Sequence, residues 1–141
     1  MKDYNSAFFG LFENLFLCLK EEYGEDFALK LFRKIMAKGL GGAYGESFEK
    51  GCPDEFARLV GDRDNNVGLR VSFPIIEKDK VVYQFHDDPF PGLKGKVNAN
   101  ELVDTYMNFK VKTILGQDWS YKITKHIWNG DECTEVIIVK N

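Results

Sequence analysis

Residues 119–139 read WSYKITKHIWNGDECTEVIIV, and this stretch decides the fold. Apolar and polar side chains alternate from Trp119 to Trp128 and again from Cys133 to Val139, the period of two that belongs to strands. Between them stands Asn129-Gly130, whose tolerance of left-handed backbone makes it the strongest short-range hairpin signal in the chain. A two-residue turn would set Trp128 opposite Asp131 and His126 opposite Cys133. A four-residue loop from Asn129 to Glu132 would pair His126 with Glu135 instead. Both registers keep the same parity: Thr124, His126, Trp128, Cys133, Glu135 and Ile137 on one face, Tyr121, Ile123, Val136 and Ile138 on the other.

Upstream of this hairpin, Asn98 followed by Glu101 has the form of a capping box, and the helix it opens runs to about Leu115, ending at Gly116. Leu102, Tyr106 and Phe109 fall on one face, with Val103, Met107 and Ile114 beside them. Before that helix a second hairpin is expected. Leu69, Val71 and Phe73 alternate with polar or small neighbours from Val67 onward, Val81, Tyr83 and Phe85 do the same, and Glu77 to Lys80 joins the two strands. Pro74 marks a strand end or an edge.

The N-terminal third is helical in pattern. Phe8, Leu11, Phe12, Leu15, Phe16 and Leu19 recur at three- and four-residue spacing from Ala7 to Glu22. Past Gly24, the residues Phe27, Leu31, Phe32, Ile35 and Met36 form a second stripe, with acids first and lysines last as the helix dipole favours. The run Gly39-Leu40-Gly41-Gly42-Ala43-Tyr44-Gly45 has neither a strand before it nor a Lys-Ser or Lys-Thr pair after it, so it reads as a helix end or a close helix contact rather than a phosphate loop. Pro53 to Val60 reads as a short helix ending at Gly61, and Asp62 to Asn66 as a polar loop that lacks the glycine and glutamate of a calcium site.

The element order implies an α+β fold: N-terminal helices, then hairpin, helix and hairpin, forming one antiparallel sheet with helices packed on one face. The 141 residues contain no evident linker and are expected to form one domain, 1–141. With 44% hydrophobic residues and 12 Phe there is apolar material for a core and a surplus for a pocket or an interface. A net charge of −3 without basic clusters argues against nucleic acid. Lys110 to Lys112 reads as a solvated helix face. Asp3, Glu13 and Lys20 interrupt the apolar N-terminus, against a leader or a membrane span. Three widely spaced cysteines suit reduced thiols in a cytoplasmic protein.

Chemistry concentrates on the closing hairpin, where Cys133, His126 and Glu135 supply the thiol, imidazole and carboxylate of an activated nucleophile within cross-strand reach. In that reading His126 lowers the pKa of Cys133, while Cys18 is shielded on its apolar helix. The bland reading makes Cys133 a small buried hydrophobe and His126 a strand residue. His86 and Asp87 open the proline-stiffened loop to Gly92, where polar side chains line pocket mouths. Arg70 could grip a carboxylate with its fork, Tyr106 faces the core from its helix, and Trp128 shares the face of His126. No Cys-x-x-Cys or His-x-x-x-His spacing supports a metal site, and no cofactor pattern is present.

The helix Asn100 to Leu115, the Gly116-Gln117-Asp118-Trp119 that follows, and the closing run from Lys125 to Cys133 resemble the L-2-amino-thiazoline-4-carboxylic acid hydrolase-like family, with Gly130, Asp131 and Cys133 on its closing motif. Gln84, Phe85 and His86 stand where that family would have a cysteine. The hairpin-helix-hairpin order is also similar to the broader class of small-molecule-binding domains related to vinyl-reductase domains. The resemblance implies a ligand held between sheet and helices, a homodimer, and hydrolysis of an amidine-type C–N bond in a compact, polar, cyclic, carboxylated and sulfur-containing compound. A ligand sensor or dimerising interaction module without catalysis is the alternative, and the sequence leaves open whether the chain is an enzyme.

Overall fold

The computed structural model describes residues 6–141. The chain forms α1 (Ser6–Tyr23), α2 (Glu25–Tyr44), α3 (Pro53–Asn66), β1 (Val71–Glu77), β2 (Lys80–Phe85), α4 (Ala99–Lys110), β3 (Trp119–Lys125) and β4 (Thr134–Lys140). A π-helical turn at Val111–Leu115 prolongs α4, and short 3-10 turns lie at Pro91–Leu93 and Ile127–Asn129. Asp3 lies outside the described residues. No described helix is long and apolar enough to cross a membrane.

All four strands make one antiparallel sheet in the order β1-β2-β4-β3, so the hairpins join where β2 pairs with β4. This is the α+β architecture expected from the alternation of hairpin, helix and hairpin. Val81, Tyr83 and Phe85 of β2 and Val136 and Ile138 of β4 point into the core with the helices. Their neighbours Gln84 and Glu135, paired in register, therefore face the other side of the sheet.

Glycine breaks α1 from α2 at Gly24, where φ is 91°, a value that favours a residue without Cβ. The α1 stripe is rotated from its expected position: Phe9 and Phe16 are buried, while Leu11 and Leu15 are exposed. The second stripe shifts likewise, with Phe27 exposed and Ala28, Leu29 and Phe32 buried. Two neighbours instead of one face, α2 and the loop carrying Phe90, decide which side of α1 is covered. Phe16 stacks edge-on to Phe32 at 5.0 Å, and Phe9 to Phe90 at 5.6 Å. Such pairs add about 0.5–1.5 kcal/mol each beyond their burial.

Helix α2 continues through the glycine run to Tyr44. A Cβ at Gly41 would sit 3.4 Å from the ring of Phe109, so the small residue permits close approach of α2 to α4.

Three expected boundaries move. Helix α3 does not end at Gly61 but runs to Asn66, and the stretch read as a polar loop is helical because the core recruits Asp64, 4% exposed. Strand β1 starts at Val71 instead of Val67, since Val67 to Gly68 closes α3 by hydrogen bonds to Asp64 and Asn65. Trp128 belongs to no strand: pairing in β3 ends at Lys125. Pro74 lies within β1, an edge strand whose register shifts between Ser72 and Ile75. Asn98 Oδ1 accepts from Glu101 N at 3.0 Å, the cap that the sequence announces for α4.

From Trp119 to Ile123 the β3–β4 pairs keep the register expected for a two-residue turn at Asn129-Gly130, and they leave it only beyond Ile123. Ile123 faces Val136 and Lys125 faces Glu135, so two residues of β3 oppose one of β4 in a bulge. One extra residue reverses the parity of everything beyond it. Asn129 is the last residue of the 3-10 turn and Gly130 takes left-handed backbone at φ 90° in a wide loop.

Candidate functional site

Between α1, α2, the end of α3, β2 and α4 lies a cavity of about 90 Å3. Its walls are aromatic and aliphatic, with Phe8, Phe12, Met36, Leu40 and Phe85 among them, and Gly39 leaves its own stretch of wall bare. One end is polar. Arg63 and Asp64 reach it from α3, Tyr83 from β2, and Tyr106 and Lys110 from α4.

These polar groups are joined. The Tyr83 hydroxyl donates to Asp64 Oδ2 and accepts from Lys110 Nζ at 3.4 Å, while Nζ lies 3.8 Å from Asp64 Oδ1. Lys110 also sits over the rings of Tyr83 and Tyr106, 5.3 and 5.0 Å from their centroids. Burial lowers the pKa of Lys110, opposed by Asp64. Burial first and Asp64 second hold the Tyr83 and Tyr106 phenols well above their usual range, so both remain protonated donors. Breaking a buried pair of this kind costs about 3–5 kcal/mol, because the remaining charge is stranded.

Lys110 corrects the reading of 110–112 as a solvated face, since it is 4% exposed. The signal was present in the sequence: Lys110 follows Tyr106 by four residues and Met107 by three, which places it on the buried stripe of α4. Asp64 left no such trace within its polar stretch. Of the candidates named from sequence, Tyr106 is the one that lines this cavity.

A smaller cavity of about 10 Å3 lies beyond Phe90, bounded by Tyr106, His126, Trp128, Asp88 and Thr134. Here the bulge has carried His126 to the core side with Thr134, away from Glu135. His126 is 6% exposed, and its Nδ1 accepts from Trp128 N at 3.0 Å, which assigns the proton of the neutral ring to Nε2. Its own N–H donates to Asp131 at 2.8 Å, and the indole of Trp128 donates to Asp88 at 2.7 Å. Burial lowers the His126 pKa, against the pull of Asp88 and Asp131.

Cys133, His126 and Glu135 are not linked to one another by any hydrogen bond among the described residues. Glu135 accepts from Gln84 Nε2 at 2.7 Å and Thr124 Oγ1 at 2.8 Å, and these bonds lower its pKa. Cys133 is buried, and burial raises its pKa, with Glu135, Glu132 and Asp131 adding and Lys125 opposing. Cys18 is the exposed thiol, contrary to the expectation of a shielded one, because α1 is rotated. On the outer face His86 Nε2 lies 2.8 Å from Ser72 Oγ. Arg70 grips Asp87 through Nε at 3.1 Å and an NH2 group at 2.8 Å, and the carboxylate also accepts the Arg70 backbone N–H at 2.8 Å. Its fork is thus already filled from within the chain. No group of three or more His, Cys, Asp or Glu is placed to hold a metal ion among the described residues.

No family model matches the chain, and no curated protein matches it. Among solved structures the fold is similar to the phenol-responsive sensory domain of the transcription activator PoxR with phenol. The TM-score is 0.64 at 11% identity, covering 97% of this chain and 74% of that one. A trafficking protein particle complex subunit 3 from Naegleria fowleri, covalently bound to palmitic acid, gives a TM-score of 0.43 at 12% identity, covering 99% of this chain and 84% of that one. The expectation of an α+β fold is met at the level of architecture.

Proposed function

We propose that this chain is a ligand-binding sensory domain that takes a single small ring, a phenol or a compound of similar size, into the cavity between its helices and sheet. The observation that carries this reading is the cavity itself: aromatic walls closing on a buried Asp64, Tyr83 and Lys110. A well-packed core leaves few voids larger than a water molecule, and a buried ionic cluster at the end of one supplies oriented donors and acceptors for a ligand. At about 90 Å3 the cavity is smaller than the roughly 150 Å3 apolar cavity that takes benzene, so a single ring is the upper limit and its entry requires the aromatic walls to yield. The fold shared with a phenol-responsive domain supports the same class of ligand.

The hydrolytic version, with Cys133 as nucleophile, His126 handling the proton and Glu135 orienting His126, has less support. Its thiol is buried and its carboxylate is bonded elsewhere. Sensing without turnover needs none of these groups.

The test uses Gly39, an exposed residue of the cavity lining in α2 with nothing within 4 Å of where its Cβ would be. Wild-type protein titrated with phenol in a calorimeter should bind it saturably, and Gly39→Leu should abolish binding while gaining about 1 kcal/mol of stability from helix propensity. Unchanged phenol affinity in Gly39→Leu would place the ligand elsewhere. Absence of binding for a panel of monocyclic phenols would remove the reading.

A further inference from the structure

The charges around the cavity do not balance. Among the described residues its lining includes two cations, Arg63 and Lys110, and one carboxylate, Asp64. Asp64 is committed to Lys110 and to the Tyr83 hydroxyl. Arg63 has no ion pair among the described residues; its guanidinium carbon lies 5.7 Å from the centroid of the Phe8 ring, and its buried Nε has no hydrogen-bond partner. The hydroxyl of Tyr44, 6% exposed and close enough to Asp64 and Arg63 to feel both, is likewise buried without a partner.

Buried donors without acceptors cost about 1–3 kcal/mol each, more when charged. A neutral apolar guest would leave that cost in place. An anionic oxygen near Arg63 would remove it and would neutralise the excess positive charge in a medium where charge–charge attraction is several times stronger than in water.

We infer that the cavity holds its ligand as an anion, a phenolate or carboxylate whose oxygen lies at the polar end against Arg63 and Lys110. This rests on the binding reading above and names the charge state of the guest. The titratable groups lining that end are Arg63 and Asp64 from α3, Tyr83 from β2, and Tyr106 and Lys110 from α4; Tyr44 of α2 lies outside the lining but near enough to feel Asp64 and Arg63, and Asp88 is felt by Tyr106 across the second cavity. Both cations attract the anion and Asp64 opposes it. The phenols of Tyr44, Tyr83 and Tyr106 stay protonated.

The probe is 2,6-difluorophenol, barely wider than phenol, whose 19F shift moves on ionisation. Titrated with pH while bound, it should ionise at least one unit lower than free in solution, which means that the phenolate binds at least tenfold more tightly than the phenol. Arg63→Gln, at a half-buried position, should return most of that shift. Asp64→Asn paired with Lys110→Met, which removes both partners together, should reduce it while leaving a ligand bound. A bound pKa equal to or above the free value overturns the inference and leaves a pocket for neutral rings, with the binding reading intact. No binding of either form would overturn both. Competition then separates the two sources of the anion: benzoate displacing the probe where benzamide does not extends the class to carboxylates, and failure of both to displace it confines the class to phenolates.

Discussion

The chain buries titratable groups in two places, and they differ in what surrounds them. At the closing turn Nδ1 of His126 accepts from the chain's own Trp128 N, and the groups around it are committed too: Trp128 to Asp88, Glu135 to Gln84 and Thr124. At the polar end of the larger cavity the cluster borders open space, and a buried donor of its lining, Arg63 Nε, has no acceptor, nor has the Tyr44 hydroxyl behind the lining. Saturated polar groups fix a structure, whereas unsaturated ones beside a void are ready for a guest. The residue types favoured the turn as the site of chemistry; the distribution of partners favours the cavity.

The largest expected effect breaks the cavity cluster. Lys110→Met alone strands Asp64 and should cost about 3–5 kcal/mol in urea denaturation, whereas adding Asp64→Asn should recover most of it, since two neutral groups of similar shape need no pairing. If the double variant is as unstable as the single one, packing of the lysine stem rather than charge holds this end together.

A smaller effect sharpens the contrast at the turn. Limiting iodoacetamide should modify Cys18 well before Cys133, about tenfold or more, because one thiol is exposed and the other is buried with a raised pKa. His126→Ala should leave the Cys133 rate no slower. Preferential labelling of Cys133, slowed by loss of His126, would restore the nucleophile pair and reverse the comparison.

The smallest effect is a pH slope. His126 has a folded pKa below its unfolded value, so both states are neutral above about 6.5. As pH falls below that, the unfolded chain takes up a proton first and stability decreases until the folded pKa is passed. His126→Gln should flatten this part of the stability curve between mildly acid and neutral pH. An unchanged slope would mean that the ring is accessible to water in a way its burial does not indicate.

Much of the architecture was legible in the sequence, because it rests on local signals. The Asn98–Glu101 cap, the helix dipole order of Glu25 and Asp26, the turn between β1 and β2, and the glycines at 24, 45 and 116 each need only a few neighbouring residues to act. Alternation in β2 and β4 sufficed to predict one antiparallel sheet, since a one-residue slip would turn Val136 and Ile138 out of the core. Of the candidate site only Tyr106 was named from the sequence, although the stripe of α4 also marked Lys110. Placing His126 beside Cys133 and Glu135 assumed that parity holds through the hairpin, and a single bulged residue near Thr124 defeats it.

What the sequence determined by itself was therefore the class of fold and its element order, which follow from periodicity and caps acting over one or two turns of chain. Tertiary structure alone decided where polar groups would be buried. Asp64 from a stretch that reads as loop and Lys110 from one that reads as solvent face meet at Tyr83, three segments far apart in the chain. No local pattern marks such a meeting, because a charge is tolerated inside only when its partner arrives there too, and that depends on how helices and sheet pack together.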